Sequence, residues 1–205
     1  MRLYLVRHAA TYLNAAPVFQ GRINTELSEQ GHRQADSLIP YFKSIPLKRL
    51  YASPLKRALQ TAQRIKTAAA LPILPADKLI EIDFGEWDGL SHAQAAQIYG
   101  KQFRDFYYHP SKYPFPGEGS LECVHMRIKQ GMDSILRENS PDSSIAIVTH
   151  GGVLRIILLY LLQMELCFYR NFRFDNASIS IIDYINGEFF VQVLNDTSHL
   201  KAIES

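Results

Sequence analysis

Cysteine is scarce in this sequence: Cys123 and Cys167 are the only two among 205 residues. They lie far apart in apolar surroundings, so we expect buried, reduced thiols rather than a disulfide framework. The formal net charge is only +2, which gives no electrostatic reason to expect a nucleic-acid or membrane partner. The seven histidines show no metal-ligand spacing such as His-Glu-x-x-His, and we expect neither a metal site nor another cofactor.

Long hydrophobic runs are also lacking. The most apolar stretch, Val153 to Leu162, carries Arg155 near its start and is too short to span a bilayer, which predicts a core helix. Met1-Arg2 leads directly into a strand-like run, so no secretory signal peptide is expected. With 47% apolar residues, the chain is expected to form one soluble, cytoplasmic domain over residues 1–205.

Short β-branched or aromatic runs alternate with amphipathic segments along the chain, and the last two runs flank a hairpin signal, Asn186-Gly187. This alternation predicts an α/β three-layer sandwich with a mostly parallel central sheet and an antiparallel edge. A helical and loop insertion is expected near residues 93–119, over the active site. Strands are predicted near residues 2–7, 48–52, 73–74, 145–149, 178–184 and 189–194.

Helix starts are indicated by Ser28, by Ser53-Pro54 and by Ser91, because serine caps helices and proline suits the first helical position. Two further helices are predicted over residues 121–137 and after Gly152. The predicted apolar faces are Ala35, Leu38, Ile39 and Phe42; Leu55, Leu59, Ala62, Ile65 and Ala69; and Val124, Ile128, Met132 and Ile135.

Two histidines follow predicted strands directly. Arg7-His8 ends the first strand, and His150 ends the strand at residues 145–149. Ligands bind at the carboxyl ends of parallel strands, and imidazole with guanidinium there suggests phosphoryl chemistry. His8 is the candidate nucleophile, because flanking arginines lower a histidine pKa. A carbonyl in the following loop is expected to accept a hydrogen bond from its other ring nitrogen. His150 is expected to donate to the phosphoryl oxygens.

Arg57 lies in the first turn of a predicted helix, where the positive helix end also favours an anion. Arg7 and Arg57 are therefore predicted to clamp a phosphate group. A carboxylic acid beside such a site can protonate the leaving oxygen. Residue types alone leave four candidates for that acid, namely Glu81, Asp83, Glu86 and Asp88.

Five motifs in order resemble the histidine phosphatase superfamily, also called the phosphoglycerate-mutase-like family, and the resemblance covers nearly the whole chain. The first, Arg7 to Thr11 with Asn14, is similar to Arg-His-Gly-Glu-Thr-x-x-Asn, with Ala9 and Ala10 in place of glycine and glutamate. The others are Gly21 to Ala35, with Asn24 and Glu26 where the family has Asp and Pro; Ser53 to Ala62; Glu81 to Gly89; and Val148 to Gly152.

The resemblance implies a phosphoglycerate-mutase-like fold and the site roles. His8 becomes phosphorylated, Glu81 is the proton donor, and Arg7, Arg57 and His150 form the phosphate pocket. These five are the expected catalytic residues. The resemblance also implies a small-molecule phosphate substrate, with a homodimer allowed for. The expected substrate-binding residues are Arg7, Asn14, Gln20, Gly21, Arg57, His150 and Gly151.

The form of the acidic segment separates the functions that the resemblance allows. Mutases resemble one another with Glu-Arg-His-Tyr-Gly, where this chain has Glu81 to Gly85 as Glu-Ile-Asp-Phe-Gly. The segment looks like the phosphatase branch, including alpha-ribazole phosphatases, and implies metal-independent phosphomonoester hydrolysis. A mutase-type phosphotransferase and a non-catalytic phosphate-binding regulatory member are the alternatives. Loop aromatics such as Phe19 and Tyr107 either form an aromatic rim or pack on the domain.

Overall fold

The computed structural model describes residues 1–201, and the last four residues of the predicted domain (202–205) lie outside the described part. Its centre is a six-stranded sheet in the order β3-β2-β4-β1-β5-β6. The first four strands along the chain run parallel, and β5 and β6 add the antiparallel edge. The strands are β1 (Arg2–Arg7), β2 (Arg49–Ala52), β3 (Ile73–Pro75), β4 (Ser144–Thr149), β5 (Ile179–Ile185) and β6 (Glu188–Asp196).

Alternate residues of the central strands face opposite helical layers, as the two-residue period of a strand requires. In β1, Leu3 and Leu5 join one buried cluster, whereas Tyr4 and Val6 join the other. The predicted three-layer α/β sandwich with a mixed sheet is therefore confirmed. The helices are α1 (Glu29–Asp36), α2 (Leu38–Lys43), α3 (Lys56–Ala69), α4 (His92–Tyr108), α5 (Leu121–Glu138) and α6 (Gly151–Leu161).

Helix α1 begins as predicted, because the Ser28 hydroxyl accepts a hydrogen bond from the Gly31 amide. The single helix expected after Ser28 is nevertheless wrong, since the chain divides at Ser37 into α1 and α2. Pro40 explains the break: it has no amide to donate to the carbonyl of Asp36, four residues earlier.

The predicted start of α3 at Ser53-Pro54 is also wrong. The helix begins at Lys56, after Leu55 in extended conformation. The Ser53 hydroxyl instead lies 2.6 Å from Nε2 of His150. The predicted apolar face is shifted as well, because Leu59 is 38% exposed and the buried positions are Arg57, Ala58, Thr61, Ala62 and Ile65.

The region near 93–119 combines a helix and a loop. Ser91 caps α4 as predicted, but the helix continues beyond Tyr99 to Tyr108, with non-helical dihedrals only at Gly100. The predicted single-domain organisation, with this region over the active site, remains a prediction. Cys123 and Cys167 are both exposed, so the predicted burial of the thiols is wrong. None of the helices described over residues 1–201 has the length and apolarity needed to cross a membrane.

Candidate active site

The carboxyl ends of three neighbouring parallel strands meet at one edge of the sheet. Arg7 pairs with Thr149 across β1 and β4, and Ala52 of β2 pairs with Val148 of β4. The next residue along each strand is therefore His8, Ser53 or His150. The rings of His8 and His150 are 5.2 Å apart between centroids. Sheet topology thus brings together the two strand-end histidines that the sequence singled out.

His8 has a defined tautomer. Its Nδ1 lies 2.8 Å from the carbonyl oxygen of Ala9, and a carbonyl only accepts, so Nδ1 carries the proton. The predicted loop carbonyl is therefore confirmed, and Nε2 keeps a free lone pair. Burial, assisted by Arg57 and Arg7, holds the pKa of His8 well below its usual range. The ring is a neutral base that presents one unprotonated nitrogen.

His150 is fully buried, and both of its ring nitrogens are engaged. Nδ1 accepts a hydrogen bond from Nε of Arg57 at 3.2 Å, and Nε2 then carries the proton that points to the Ser53 hydroxyl. Burial, with the nearby Arg57 charge, holds the pKa of His150 well below its usual range. Direct donation to a phosphoryl oxygen therefore requires His150 to give up one of these hydrogen bonds.

Arg57 is also fully buried, at the start of α3. Its Nη1 donates to the carbonyl of Ile23 at 2.7 Å, and Nη2 donates to the carbonyl of Gly21 at 2.8 Å. Burial lowers the pKa of Arg57 to about 10. Gly21 has a φ of +46°, and a Cβ there would overlap Asp88, so only glycine suits this turn.

Arg7 lines the same pocket as His8 and Arg57. Its Nη1 donates to the carbonyl of Phe174 at 2.6 Å, whereas its buried Nε has no hydrogen-bond partner within residues 1–201. A Cβ on Gly151 would lie 3.3 Å from that Nε, so the Arg7 side chain sits directly beside the first residue of α6. Burial lowers the pKa of Arg7. Arg7 thus holds an unpaired donor at a helix N-terminus, where an anion is favoured.

Glu81 is the carboxylate that lines this pocket. Its oxygens accept hydrogen bonds from the Ile82 amide at 2.9 Å and, more weakly, from the Gly152 amide at 3.4 Å. A Cβ on Gly152 would lie 2.7 Å from Oε1 of Glu81, which shows how closely the carboxylate approaches the start of α6.

The other three acidic candidates are engaged elsewhere. Asp83 accepts from the Gly85 amide at 2.8 Å, Glu86 from the Tyr99 hydroxyl at 3.2 Å, and Asp88 from the Arg22 amide at 3.0 Å. None of these three lines the pocket that holds His8. The geometry therefore distinguishes Glu81 from the other three carboxylates, which residue types alone did not do.

The pocket itself has a volume of about 210 Å³. Its lining includes Asn14, Gln20, Gly21 and Gly151, whose role in substrate binding stays a prediction, and does not include fully buried His150. Within residues 1–201 there is no grouping of three His, Cys, Asp or Glu side chains that would hold a metal ion. With Arg7 and Arg57 facing Glu81, the arrangement suits binding of an anion next to a neutral imidazole.

Several residues at this site were missed from the sequence. Ser53 and Thr61 belong to the third motif, but Ser53 was given only the role of a helix cap, and Thr61, whose hydroxyl accepts from the Ala9 amide at 3.0 Å, was given no role at the site. Arg155 and Tyr169 also line the pocket. The spacing of Arg155 offered a signal, because it lies four residues after Gly151 and so on the same face of α6. Tyr169 had no comparable signal.

Known proteins resemble this chain over almost its full length. The sequence model of the histidine phosphatase superfamily (branch 1) matches residues 3–197. Phosphoserine phosphatase 1 of Hydrogenobacter thermophilus is 34% identical over 200 residues, which cover 98% of this chain and 94% of that protein. The adenosylcobalamin/alpha-ribazole phosphatase of Salmonella typhimurium is 32% identical, with 95% and 96% covered. The solved structure of Bacillus stearothermophilus YhfR superimposes with a TM-score of 0.90 at 30% identity, covering 98% and 99% of the two chains.

The tautomer of His8 can be measured directly. At about pH 6, where most free histidine side chains are charged, we expect a neutral His8 ring with the proton on Nδ1, because burial and two guanidinium groups oppose a further positive charge. Nitrogen NMR of selectively labelled protein distinguishes this tautomer. The urea-unfolded protein serves as the control and should titrate like free histidine. A charged His8 ring at this pH, or a proton on Nε2, would contradict the geometry described above.

Proposed function

Because the chain belongs to branch 1 of the histidine phosphatase superfamily, we propose that it hydrolyses a small phosphomonoester through a phosphohistidine on His8. Glu81 acts first as general acid and then as general base. The observation that carries this proposal is the bare Nε2 of His8, which shares one pocket with Arg7, Arg57 and Glu81. A neutral imidazole with one free lone pair is the form that attacks phosphorus.

Arg7 and Arg57 bind the phosphoryl group. Arg57 uses Nε, Nη1 and Nη2 in one hydrogen bond each, which leaves one N–H on each terminal nitrogen. Arg7 contributes its unpaired Nε, and the N-terminus of α6 at Gly151 adds a favourable dipole. Asn14 and Gln20, which line the same pocket, complete the binding site. The positive charges neutralise the phosphoryl oxygens as charge shifts during transfer.

The reaction proceeds in two transfers. Nε2 of His8 attacks phosphorus while the bond from phosphorus to the leaving oxygen breaks, and protonated Glu81 gives its proton to that oxygen. Water then attacks the phosphohistidine, Glu81 takes the proton from the water, and phosphate leaves with His8 restored. His150 accepts from Nε of Arg57 and so holds that guanidinium in place, and it donates to the phosphoryl group through its Nε2–H when the hydrogen bond to the Ser53 hydroxyl is released.

The relatives favour hydrolysis over phosphate transfer between positions of one substrate. Two proteins that are 34% and 32% identical to this chain are named as phosphatases, one for phosphoserine and one for adenosylcobalamin/alpha-ribazole. Both names describe small-molecule phosphates. Alpha-ribazole 5'-phosphate, which the motif pattern suggested, is therefore one candidate substrate, and phosphoserine is a second.

Substitution of Glu81 by Gln tests the role of the acid. An aliphatic alkoxide needs a proton as it leaves, and such assistance contributes about 10²–10⁴-fold to the rate. A nitrophenolate leaves almost unaided. We therefore expect Glu81→Gln to lose far more activity on an alkyl phosphate than on p-nitrophenyl phosphate, when steady-state rates are compared under conditions where phosphoenzyme formation limits both reactions.

Matched carboxylate variants supply the control for that experiment. Asp83→Asn, Glu86→Gln and Asp88→Asn each remove one negative charge from the same segment, outside the pocket. None of them should show the dependence on the leaving group. Equal losses on both substrates for Glu81→Gln would place the acid elsewhere.

Metal dependence gives a second test. We expect activity to persist after exhaustive chelation, because guanidinium groups take the place that a divalent cation holds in many phosphoryl-transfer enzymes. Phosphate release would be followed before and after treatment with a chelator, and then with single divalent ions added back. Loss of activity on chelation, restored by one particular ion, would overturn the metal-independent mechanism.

A further inference from the structure

A second, smaller compartment adjoins the phosphate pocket, and we call it the side compartment. It has a volume of about 150 Å³. Four residues, Phe19, Phe84, Arg155 and Tyr169, line both spaces, so the two lie side by side. The far end is bounded by Tyr107 and Arg170 among others. Taken together, the two spaces lie near the lower end of the roughly 300–1,000 Å³ typical of sites for drug-sized ligands, so a compact substrate fits best.

The side compartment lies on the side of the leaving group. A Cβ atom placed on Gly152 would lie 2.7 Å from Oε1 of Glu81 and 3.2 Å from the Tyr169 hydroxyl. The Tyr169 hydroxyl and the Glu81 carboxyl group, which is proposed to protonate the leaving oxygen, thus both lie beside Gly152. The guanidinium of Arg155 packs over the Tyr169 ring, 5.1 Å from its centroid. Arg155 therefore lies where we expect the rest of the leaving alcohol to bind.

Arg155 carries an unmatched charge. Within residues 1–201 its buried Nε has no hydrogen-bond partner, and the side chain takes part in no ion pair. Arg170 forms no ion pair among these residues either, but its Nη1 donates to the Tyr107 carbonyl at 2.5 Å and its guanidinium packs on the Tyr107 ring. A partly buried guanidinium with free donors is costly unless a ligand supplies the anion.

The proposed contacts of the phosphoryl group are Arg7 at the strand end and Arg57 at the start of α3, whereas Arg155 lies one turn into α6 and also lines the side compartment. The acidic residue that lines either space is Glu81, which is reserved for proton transfer. The positive charge of Arg155 is therefore left for the leaving group. A planar guanidinium matches a carboxylate well, because two parallel N–H groups can each donate to one oxygen.

We propose that the substrate is a compact phosphomonoester whose leaving alcohol carries a carboxylate, and that Arg155 binds that carboxylate. This inference rests on the proposed function, because the direction of the leaving group follows from Glu81 as the acid. The aromatic walls contributed by Phe19, Phe84 and Tyr169 enclose the carbon atoms between the two anionic groups. Arg155 is accordingly a specificity-determining residue, and it selects among phosphate esters by the charge of the alcohol.

Two pairs of esters isolate the carboxylate. O-phospho-L-serine and O-phosphoethanolamine differ only by that group, and 3-phosphoglycerate differs from glycerol 3-phosphate by a carboxylate in place of a hydroxymethyl group. For the wild-type enzyme we expect a higher kcat/KM for the carboxylate member of each pair. Agreement between the pairs separates the carboxylate from the amino group, which only the first pair contains.

Arg155→Met should reduce that preference roughly 10- to 100-fold, mainly through KM for the carboxylate ester, because charge-assisted hydrogen bonds to the ground state are lost. Arg155→Lys should retain part of it. Arg104→Met removes an exposed charge from α4, outside both spaces, and should keep the wild-type ratio. An unchanged ratio in Arg155→Met, or a wild type without any preference, would overturn the inference.

Binding measurements on a catalytically inactive variant separate this inference from the proposed function. In His8→Ala, calorimetry with 3-phosphoglycerate and glycerol 3-phosphate should show tighter binding of the carboxylate ester, and His8→Ala/Arg155→Met should lose that difference. If wild-type protein hydrolyses no ester but the binding difference persists and depends on Arg155, the proposed hydrolysis fails and carboxylate recognition stands. If esters are hydrolysed and binding is indifferent to the carboxylate, only the inference fails.

Discussion

Buried positive charge at the end of the central strands is the constraint on which the rest of this site depends. Arg57 is fully enclosed, yet its hydrogen-bond partners are two carbonyl oxygens and one imidazole, none of which carries a charge. Burial lowers the pKa of both Arg7 and Arg57, and Glu81 is the nearby carboxylate that most opposes this effect. Such an arrangement is unfavourable in an empty pocket and favourable once a dianion enters.

The surrounding fold fixes the positions of the groups that contact these charged side chains. The parallel register of β1, β4 and β2 fixes His8, His150 and Ser53 at one edge, and the segment from Gly21 to Ile23 turns its carbonyls towards Arg57. Arg22, within that segment, also donates to the Glu81 carbonyl at 3.2 Å. One short segment therefore links the phosphate-binding arginine to the segment that carries the acid. Neutral His8 follows from the same constraint, because burial and the neighbouring charges of Arg57 and Arg7 oppose a positive charge on its ring.

The sequence predicted those parts of the site that depend on local pattern. Strand periodicity placed His8 and His150 at the carboxyl ends of strands, and the tautomer requirement predicted the carbonyl that Ala9 provides. Long-range packing determined what was missed. Ser53 looks like a helix cap in isolation and becomes a partner of His150 only when β2 lies beside β4. In the sequence, Arg155 is an isolated charge in a predicted core helix. Its position at the site follows from the packing of the first turn of α6 against Glu81.

Covalent trapping is the most direct test of a phosphohistidine on His8. Wild-type enzyme mixed with phosphate-labelled substrate should be quenched in alkali, because a phosphoramidate survives base and is lost in acid. After digestion, the label should lie on His8, and His8→Ala should carry none while remaining folded by circular dichroism. Label found on a serine such as Ser53, or turnover retained by His8→Ala, would contradict the account.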